Sequence, residues 1–196
     1  MAWAAHPIEL ESYRILRSQV DLSRLPPITR AVTERVIHAS ADLDYATDLC
    51  CDEDALGAGQ RALAVGVPLV VDVRMLAAGI TSRECVVALD LAAAPMPGLT
   101  RSAAGIRAAA AQHPEGAVWA VGNAPTALRE LVRLAADGVL DPVLVIGLPV
   151  GFVDAAAAKA ALRDSGLPAL SNRSAKGGTA VAAAVVNALL CRRPAP

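Results

Sequence analysis

The sequence is poor in aromatic residues and lacks an apolar run long enough to cross a bilayer. Phe, Trp and Tyr make up only 3% of its 196 residues, although 55% of them are hydrophobic. The core must therefore be built from alanine, valine and leucine, whose small side chains suit helices packed closely on a sheet. A membrane span takes roughly 20 consecutive apolar residues. The runs 142–153 and 177–191 are shorter and interrupted, and the N-terminus has no signal-peptide pattern. We therefore expect a cytoplasmic protein that does not enter the membrane.

An excess of either charge is also missing. The chain has 18 basic and 19 acidic residues, for a net charge of −1, so no basic surface for nucleic acid is predicted. Its four cysteines are Cys50, Cys51, Cys85 and Cys191. None has the spacing of a zinc site or a redox pair, and adjacent cysteines are poor partners for each other. The pattern favours reduced, partly buried thiols and predicts no metal.

The common nucleotide and metalloenzyme motifs are absent as well. The sequence contains no G-x-G-x-x-G after its first predicted strand, no phosphate-binding G-x-x-x-x-G-K-[ST] and no H-E-x-x-H. A nucleotide-binding oxidoreductase is therefore disfavoured.

The chain does contain a helical first third followed by alternating strands and helices. Helical periodicity and proline breaks predict helices at 9–20, 28–39 and 53–65. Short apolar runs then predict strands at 67–71, 86–89, 117–121, 143–146 and 169–171. The helices predicted between and after these strands are 74–78, 101–111, 125–136, 155–163 and 177–190.

This alternation is typical of a mainly parallel sheet covered by helices on both faces. We predict one α/β domain over residues 1–196, with a doubly wound, flavodoxin-like, five-stranded sheet. A helical N-terminal segment of about 8–65 packs on an α/β core of about 66–191, and 192–196 forms a flexible tail.

The segments that follow the strands are rich in glycine and contain several cations. Ligands of open parallel sheets bind beyond the carboxyl ends of the strands, where glycines allow close approach and helix N-termini offer free N–H groups. Such a rim suits a ligand with several negative groups. For any single glycine a tight strand-to-helix turn is the better explanation, but four such turns on one edge favour a binding rim. The rim cations are Arg74, Arg101, Arg173 and Lys176.

Of the three histidines, His38 differs because it lies at the end of an amphipathic helix. His6 is close to the terminus, and His113 precedes Pro114 in a predicted loop. An imidazole titrates near neutrality and is suited to acid–base catalysis. The pattern alone leaves open whether His38 is catalytic or structural.

Seven segments together carry a family resemblance. They are HPIELESYRILR at 6–17, RVIHASADLDY at 35–45, DVRMLAAGIT at 72–81, TRSAAG at 100–105, VGNAPTAL at 121–128, GLPVGFV at 147–153 and KGGTAV at 176–181. In this order they strongly resemble the precorrin-8X methylmutase family of cobalamin biosynthesis, and the likeness runs from about residue 8 to 190.

The resemblance implies an isomerase that moves a methyl group from ring carbon 11 to ring carbon 12 of a corrinoid precursor, giving hydrogenobyrinate or its cobalt counterpart. It implies a flavodoxin-like fold, a homodimer with the active site near the interface, and no separate cofactor. His38 matches the family's proton donor and acceptor. Ser12, Thr81 and Arg101 match expected contacts with the polycarboxylate tetrapyrrole, and rim placement adds Arg74, Asn123 and Lys176.

Two departures from the family pattern leave His38 unaffected. Residues 154–159 read DAAAAK where relatives have a Gly-Ala-Ala-Glu-Ser-Lys segment, and Ser174-Ala175 replaces a Gly-Arg pair. The second change removes a cation and puts contact with one substrate carboxylate in doubt. A non-catalytic corrinoid carrier on the same scaffold is the alternative function.

Overall fold

A computed structural model describes residues 6–191 of the chain, so the predicted tail at 192–196 lies outside the described residues. Nine α-helices and one 3-10 helix occur in this range. The α-helices are α1 Pro7–Gln19, α2 Pro27–Ser40, α3 Tyr45–Asp48, α4 Glu53–Val65, α5 Arg74–Ala78, α6 Arg101–Gln112, α7 Pro125–Ala136, α8 Ala155–Asp164 and α9 Thr179–Leu190; the 3-10 helix is Ala88–Leu91.

The strands form one mixed sheet with the order β1-β6-β5-β4-β2-β3. All neighbours are parallel except β1, which pairs antiparallel with β6. The strands are β1 Leu49–Cys51, β2 Leu69–Val71, β3 Val86–Val87, β4 Val118–Val121, β5 Leu144–Gly147 and β6 Ala169–Asn172.

The prediction of a mainly parallel sheet is confirmed, but the count of five strands was wrong. The sixth strand, Leu49–Cys51, contributes only three residues and follows the single helical turn Tyr45–Asp48. Its Cα partners are Leu170, Ser171 and Asn172. Three residues are too few to show an alternating pattern, and the pairing that makes them a strand lies far along the chain.

Helices cover both faces of the sheet, as predicted. Alternate side chains of β2, β4 and β5 point to opposite faces and enter two separate apolar clusters. One cluster joins them to α2, α4 and α9, and the other to α6, α7 and α8. Alanine, valine and leucine dominate both clusters, and Trp119 is the largest fully buried side chain.

Three predicted elements are two residues shorter than expected. The strand predicted at 67–71 begins only at Leu69. The last helix begins at Thr179 rather than 177 because Gly177 and Gly178 have φ values of +149° and +124°, which no α-helix accommodates. The strand predicted at 86–89 ends at Val87, where the 3-10 helix Ala88–Leu91 begins.

Helix α2 runs antiparallel to α9. Residue Lys176, just before α9, contacts Asp42, just after α2. At the other end, Pro27 of α2 and Leu189 of α9 line a common cavity. Since α9 follows β6, the last turn of α2, with His38, lies at the carboxyl edge of the parallel strands. The cavity lies at the opposite end of α2, about 20 Å away along the helix.

The cysteines are free, and Cys50, Cys51 and Cys85 are partly buried as predicted, whereas Cys191 is exposed. Burial raises the pKa of Cys51 to about 12. Within residues 6–191 no helix is both long and apolar enough to cross a bilayer.

Candidate functional site

The loops after β5 and β6 close on each other at the carboxyl edge of the sheet. The backbone N–H of Gly178 donates to the carbonyl of Leu148 at 2.9 Å, and the N–H of Gly151 donates to that of Ala175 at 3.2 Å. A Cβ on Gly177 would lie 2.4 Å from the carbonyl oxygen of Leu148. Glycine is therefore required where these two backbones meet. Backbone hydrogen bonds hold the two loops together at the carboxyl edge of the sheet.

His38 is half-buried in the last turn of α2 and is held by two residues of α1. Its Nδ1 lies 2.8 Å from the hydroxyl oxygen of Ser12. Its ring stacks on Tyr13, with ring centroids 4.8 Å apart and planes 5° from parallel. No residue within 6–191 hydrogen-bonds the Nε2 atom. One ring nitrogen is thus held by the protein, while the other is available for proton transfer.

Tyr13 is itself held in place by burial and by a hydrogen bond to its hydroxyl. Only 1% of it is exposed, and its hydroxyl accepts a 3.4 Å hydrogen bond from Arg35, which also pairs with Glu9 at 2.9 Å. Burial raises the pKa of Tyr13. The residue under His38 is therefore a neutral phenol with little room to move.

Lys176 is ion-paired rather than free. Its ammonium lies 2.7 Å from Asp42 and 2.6 Å from Asp44. Hydrogen bonds to these carboxylates raise the pKa of Lys176, and Lys176 lowers the pKa of Asp42. The structure therefore pairs this predicted substrate cation with two carboxylates, which lie four and six residues after His38 in the sequence.

Asp72 organises the turn that contains Asn123. Its buried carboxylate accepts hydrogen bonds from the N–H groups of Gly122, Asn123 and Ala124 at 3.2, 2.7 and 3.2 Å. Burial is the largest influence on this carboxyl and raises the pKa of Asp72. The side chain of Asn123 is left exposed at the rim.

The two predicted rim arginines differ in their partners. Arg74 is 80% exposed and lies 2.9 Å from Asp90. Arg101 is the first residue of α6 and is also exposed, and it forms no ion pair within the part of the chain that the structure describes. Beside it, the hydroxyls of Thr100 and Thr126 meet at 2.8 Å and join the starts of α6 and α7. Of these two cations, Arg101 is the one available to a ligand.

No hydrogen bond within residues 6–191 joins the side chain of Thr81 to the other predicted site residues. Its neighbour Gly79 accepts a 2.8 Å hydrogen bond from the side chain of Asn187. Asn187 lies eight residues after the start of α9 at Thr179, about 12 Å below the rim at 1.5 Å per residue. The assignment of Thr81 to substrate contact stays a prediction.

Sequence reasoning missed a buried polar network under the rim. Lys159 is fully buried and donates to Oδ1 of Asn172 at 2.7 Å and to the carbonyl of Lys176 at 2.6 Å. Asn172 in turn donates to Asp48 at 2.7 Å. Burial lowers the pKa of Lys159 to about 8. A lysine in an otherwise alanine-rich helix was the only signal, since its partners are distant in sequence.

Asp48 completes this network by capping the loop after β6. One of its oxygens accepts from the N–H groups of Arg173 and Ser174 at 3.0 and 2.8 Å, and the other accepts from the Ser174 hydroxyl at 2.6 Å. Ser174, which departs from the family pattern, thus binds the network rather than pointing a charge into the site. No cluster of three or more metal-ligating side chains occurs in residues 6–191.

Comparison with known proteins gives one consistent result. The family model for precorrin-8X methylmutase matches residues 7–192. The chain is 38% identical to the precorrin-8X methylmutase of Pseudomonas aeruginosa, over 93% of each protein. It is also 38% identical to the cobalt-precorrin-8 methylmutase of Synechocystis, over 94% of each. The crystal structure of precorrin-8X methylmutase from Thermus thermophilus superposes with a TM-score of 0.83 at 34% identity and 93% coverage of both chains.

Proposed function

The chain belongs to the precorrin-8X methylmutase family, and we propose that it shifts a methyl group from ring carbon 11 to ring carbon 12 of a corrinoid precursor, with His38 as the proton-transfer residue. The isomerase class follows from the family. The observation that carries the role of His38 is its geometry, with Nδ1 bonded to Ser12 at 2.8 Å and Nε2 without a partner in residues 6–191.

The reaction requires the protein to orient the macrocycle and to transfer a proton. The methyl group leaves one carbon and bonds to its neighbour within the same molecule, so no electrons are gained or lost. His38 donates a proton from Nε2 to the macrocycle and takes one back when the new bond has formed. General acid–base catalysis of this kind contributes about 10²–10⁴-fold, and a fixed orientation of the macrocycle supplies much of the rest.

The substrate's carboxylates are proposed to bind the rim cations and the start of α9. Arg101 has an exposed guanidinium that forms no ion pair within residues 6–191. Gly178, the N-cap of α9, provides no side-chain cap for the first N–H groups of that helix. Free N–H groups at a helix N-terminus favour anions. Asn123 can donate from its amide. Arg74 and Lys176 would have to exchange Asp90, or Asp42 and Asp44, for a substrate carboxylate, so we expect weaker contributions from them.

We further propose a flavodoxin-like arrangement and a homodimer. The five parallel strands run in the order β3-β2-β4-β5-β6, which numbered among themselves is 2-1-3-4-5, the order of flavodoxin-like sheets.

Phe152 and Val153 at the rim are 105% and 84% exposed, and exposed apolar patches are typical of interfaces. Sedimentation should give a dimer for the wild type and a monomer for Phe152→Asp; a monomeric wild type would refute the dimer.

The catalytic role is tested by supplying both metal-free and cobalt-containing precursors and following the visible absorbance of the corrinoid. We expect the wild type to convert at least one of them. His38→Ala should lose about 10²–10⁴-fold in turnover while its affinity for the pigment is retained. His113→Ala is the control, because His113 caps the far end of α6, before β4.

Two outcomes would overturn parts of this proposal. Turnover by His38→Ala at the wild-type rate would remove His38 from the mechanism. Tight binding of both precursors by the wild type without any conversion would favour the corrinoid carrier instead.

A further inference from the structure

We infer that Ser12 is a positioning residue for His38 rather than a contact for the substrate. In this inference, which rests on the proposed function, Ser12 keeps Nδ1 hydrogen-bonded throughout the reaction, so that all proton exchange passes through Nε2. Ser12 lies on α1, 26 positions before His38, and its hydroxyl is 2.8 Å from Nδ1.

A hydroxyl suits this task because it can both donate and accept a hydrogen bond. When His38 is an imidazolium, its Nδ1–H donates to the Ser12 oxygen. After the Nε2 proton has gone to the macrocycle, the neutral ring keeps its Nδ1–H, which still donates to the Ser12 oxygen. In the other neutral tautomer, where Nδ1 carries no proton, the Ser12 O–H donates to Nδ1. The bond therefore persists while the proton on Nε2 is given to the macrocycle and taken back, and the imidazole is never released to rotate.

Tyr13 supplies the second constraint, which fixes the plane of the ring. Its own ring lies 5° from parallel to that of His38 at 4.8 Å, and it is almost completely buried. A hydrogen bond at Nδ1 alone would allow the imidazole to swing about that contact. The stack removes this freedom, so the two consecutive residues of α1 together define where Nε2 points.

A role for Ser12 in substrate binding predicts a different outcome. A hydroxyl engaged with Nδ1 has limited capacity for a substrate carboxylate, and within residues 6–191 His38 is its only side-chain partner. If Ser12 contacts the substrate, its removal raises KM and leaves kcat near that of the wild type. If it positions His38, its removal changes the free histidine and lowers turnover while binding is retained.

The experiment measures both the ring nitrogens and the kinetics. With ¹⁵N-labelled histidine, three rings contribute signals, and the His38 signals are assigned by their loss in His38→Ala. In ligand-free Ser12→Ala we expect the Nδ1 and Nε2 shifts of His38 to move toward those of a free, averaging imidazole. We expect kcat to fall about 10- to 100-fold, with KM within about twofold of wild type, and Ser12→Thr to recover most of the loss.

One control separates this effect from loss of folding. Ser18→Ala removes another α1 hydroxyl, which donates to the carbonyl of Ile15, and should leave the His38 signals and kcat unchanged. Tyr13→Leu removes the stacked ring and, unlike Ser18→Ala, should alter the His38 signals.

Raised KM with wild-type kcat in Ser12→Ala would overturn the inference. So would Ser12→Ala with both kcat and the signals of wild type. The nitrogen shifts need no substrate, so they test the positioning of His38 even if the wild type fails to convert a corrinoid, which would refute the proposed function instead.

Discussion

The ammonium of Lys159 lies 2.7 Å from Oδ1 of Asn172 and 2.6 Å from the carbonyl of Lys176, and it is completely shielded from solvent. These contacts join α8 to the end of β6 and to the loop before α9. A buried ammonium is costly unless it is fully hydrogen-bonded. The hydrogen bonds of Lys159 therefore stabilise the loop before α9, and this stabilisation depends on the protonation state of Lys159.

The first prediction concerns the stability of the fold against pH. Burial lowers the pKa of Lys159 to about 8 in the folded state, whereas an unfolded lysine titrates near 10.4. Between these values the unfolded chain binds more protons, so stability rises with pH in this window. The free energy of unfolding of wild type and of Lys159→Met is measured with urea at pH 8 and at pH 10.5. Between these pH values we expect wild type to gain roughly 1–3 kcal/mol of stability relative to Lys159→Met.

Lys176→Met is the matched control for this experiment. Its ion pairs with Asp42 and Asp44 raise the pKa of Lys176, so the stabilisation they provide is complete below the unfolded pKa and is lost only above it. The difference between wild type and Lys176→Met should therefore be constant from pH 8 to 10. An equally flat difference for Lys159→Met would contradict the lowered pKa of Lys159.

The second prediction concerns the carboxylate under the Asn123 turn. Asp72 accepts three backbone N–H bonds through its two oxygens. Asp72→Asn would present an amide N–H₂ to at least one of these donors, and losing a hydrogen bond to a charged group costs about 2 kcal/mol. We expect lower stability and a disturbed start of α7. Asp90→Asn, which affects only the exposed pair with Arg74, should change the unfolding free energy by less than about 1 kcal/mol.

Sequence patterns predicted the helices and strands that have a local apolar period, and they missed the short elements that form only through contacts with distant residues. Helices such as Pro125–Ala136 follow the apolar spacing that predicted them at 125–136. Strand β1 and the one-turn helix Tyr45–Asp48 were missed because three or four residues carry no period.

The same distinction applies to the site. His38 was identified from the motif around it, but its bond to Ser12 crosses 26 positions and the stack on Tyr13 crosses 25. Nothing local distinguishes Ser12 as a partner of the imidazole from Ser12 as a contact of the substrate. Asp72 and Lys159 are single polar residues whose roles are set by turns 50 and 13 positions away.

The third prediction tests the backbone contact that closes the rim. A Cβ at position 177 would lie 2.4 Å from the Leu148 carbonyl oxygen and 2.7 Å from that of Pro149, at a φ of +149°. Since backbone cannot yield cheaply, we expect Gly177→Ala to lose about 3 kcal/mol or more of unfolding free energy. Gly138→Ala also has a positive φ, +70°, but open space around it, so it should lose only about 1 kcal/mol. Equal losses in the two variants would mean that the contact with Leu148 contributes nothing.

The last prediction concerns recognition of the substrate's carboxylates. Arg101 is exposed at the start of α6 and forms no ion pair in the described part of the chain, so its guanidinium need not leave a partner to bind an anion. For Arg101→Ala we expect KM to rise about 10-fold with kcat nearly unchanged, because one charge-assisted contact at an exposed site is lost. Arg74→Ala should raise KM less, since Arg74 must first release Asp90. Arg24→Ala, in the exposed loop before α2 at the far end from His38, is the charge control. If Arg24→Ala raises KM as much as Arg101→Ala, the effect is one of net charge, and Arg101 is not a binding residue.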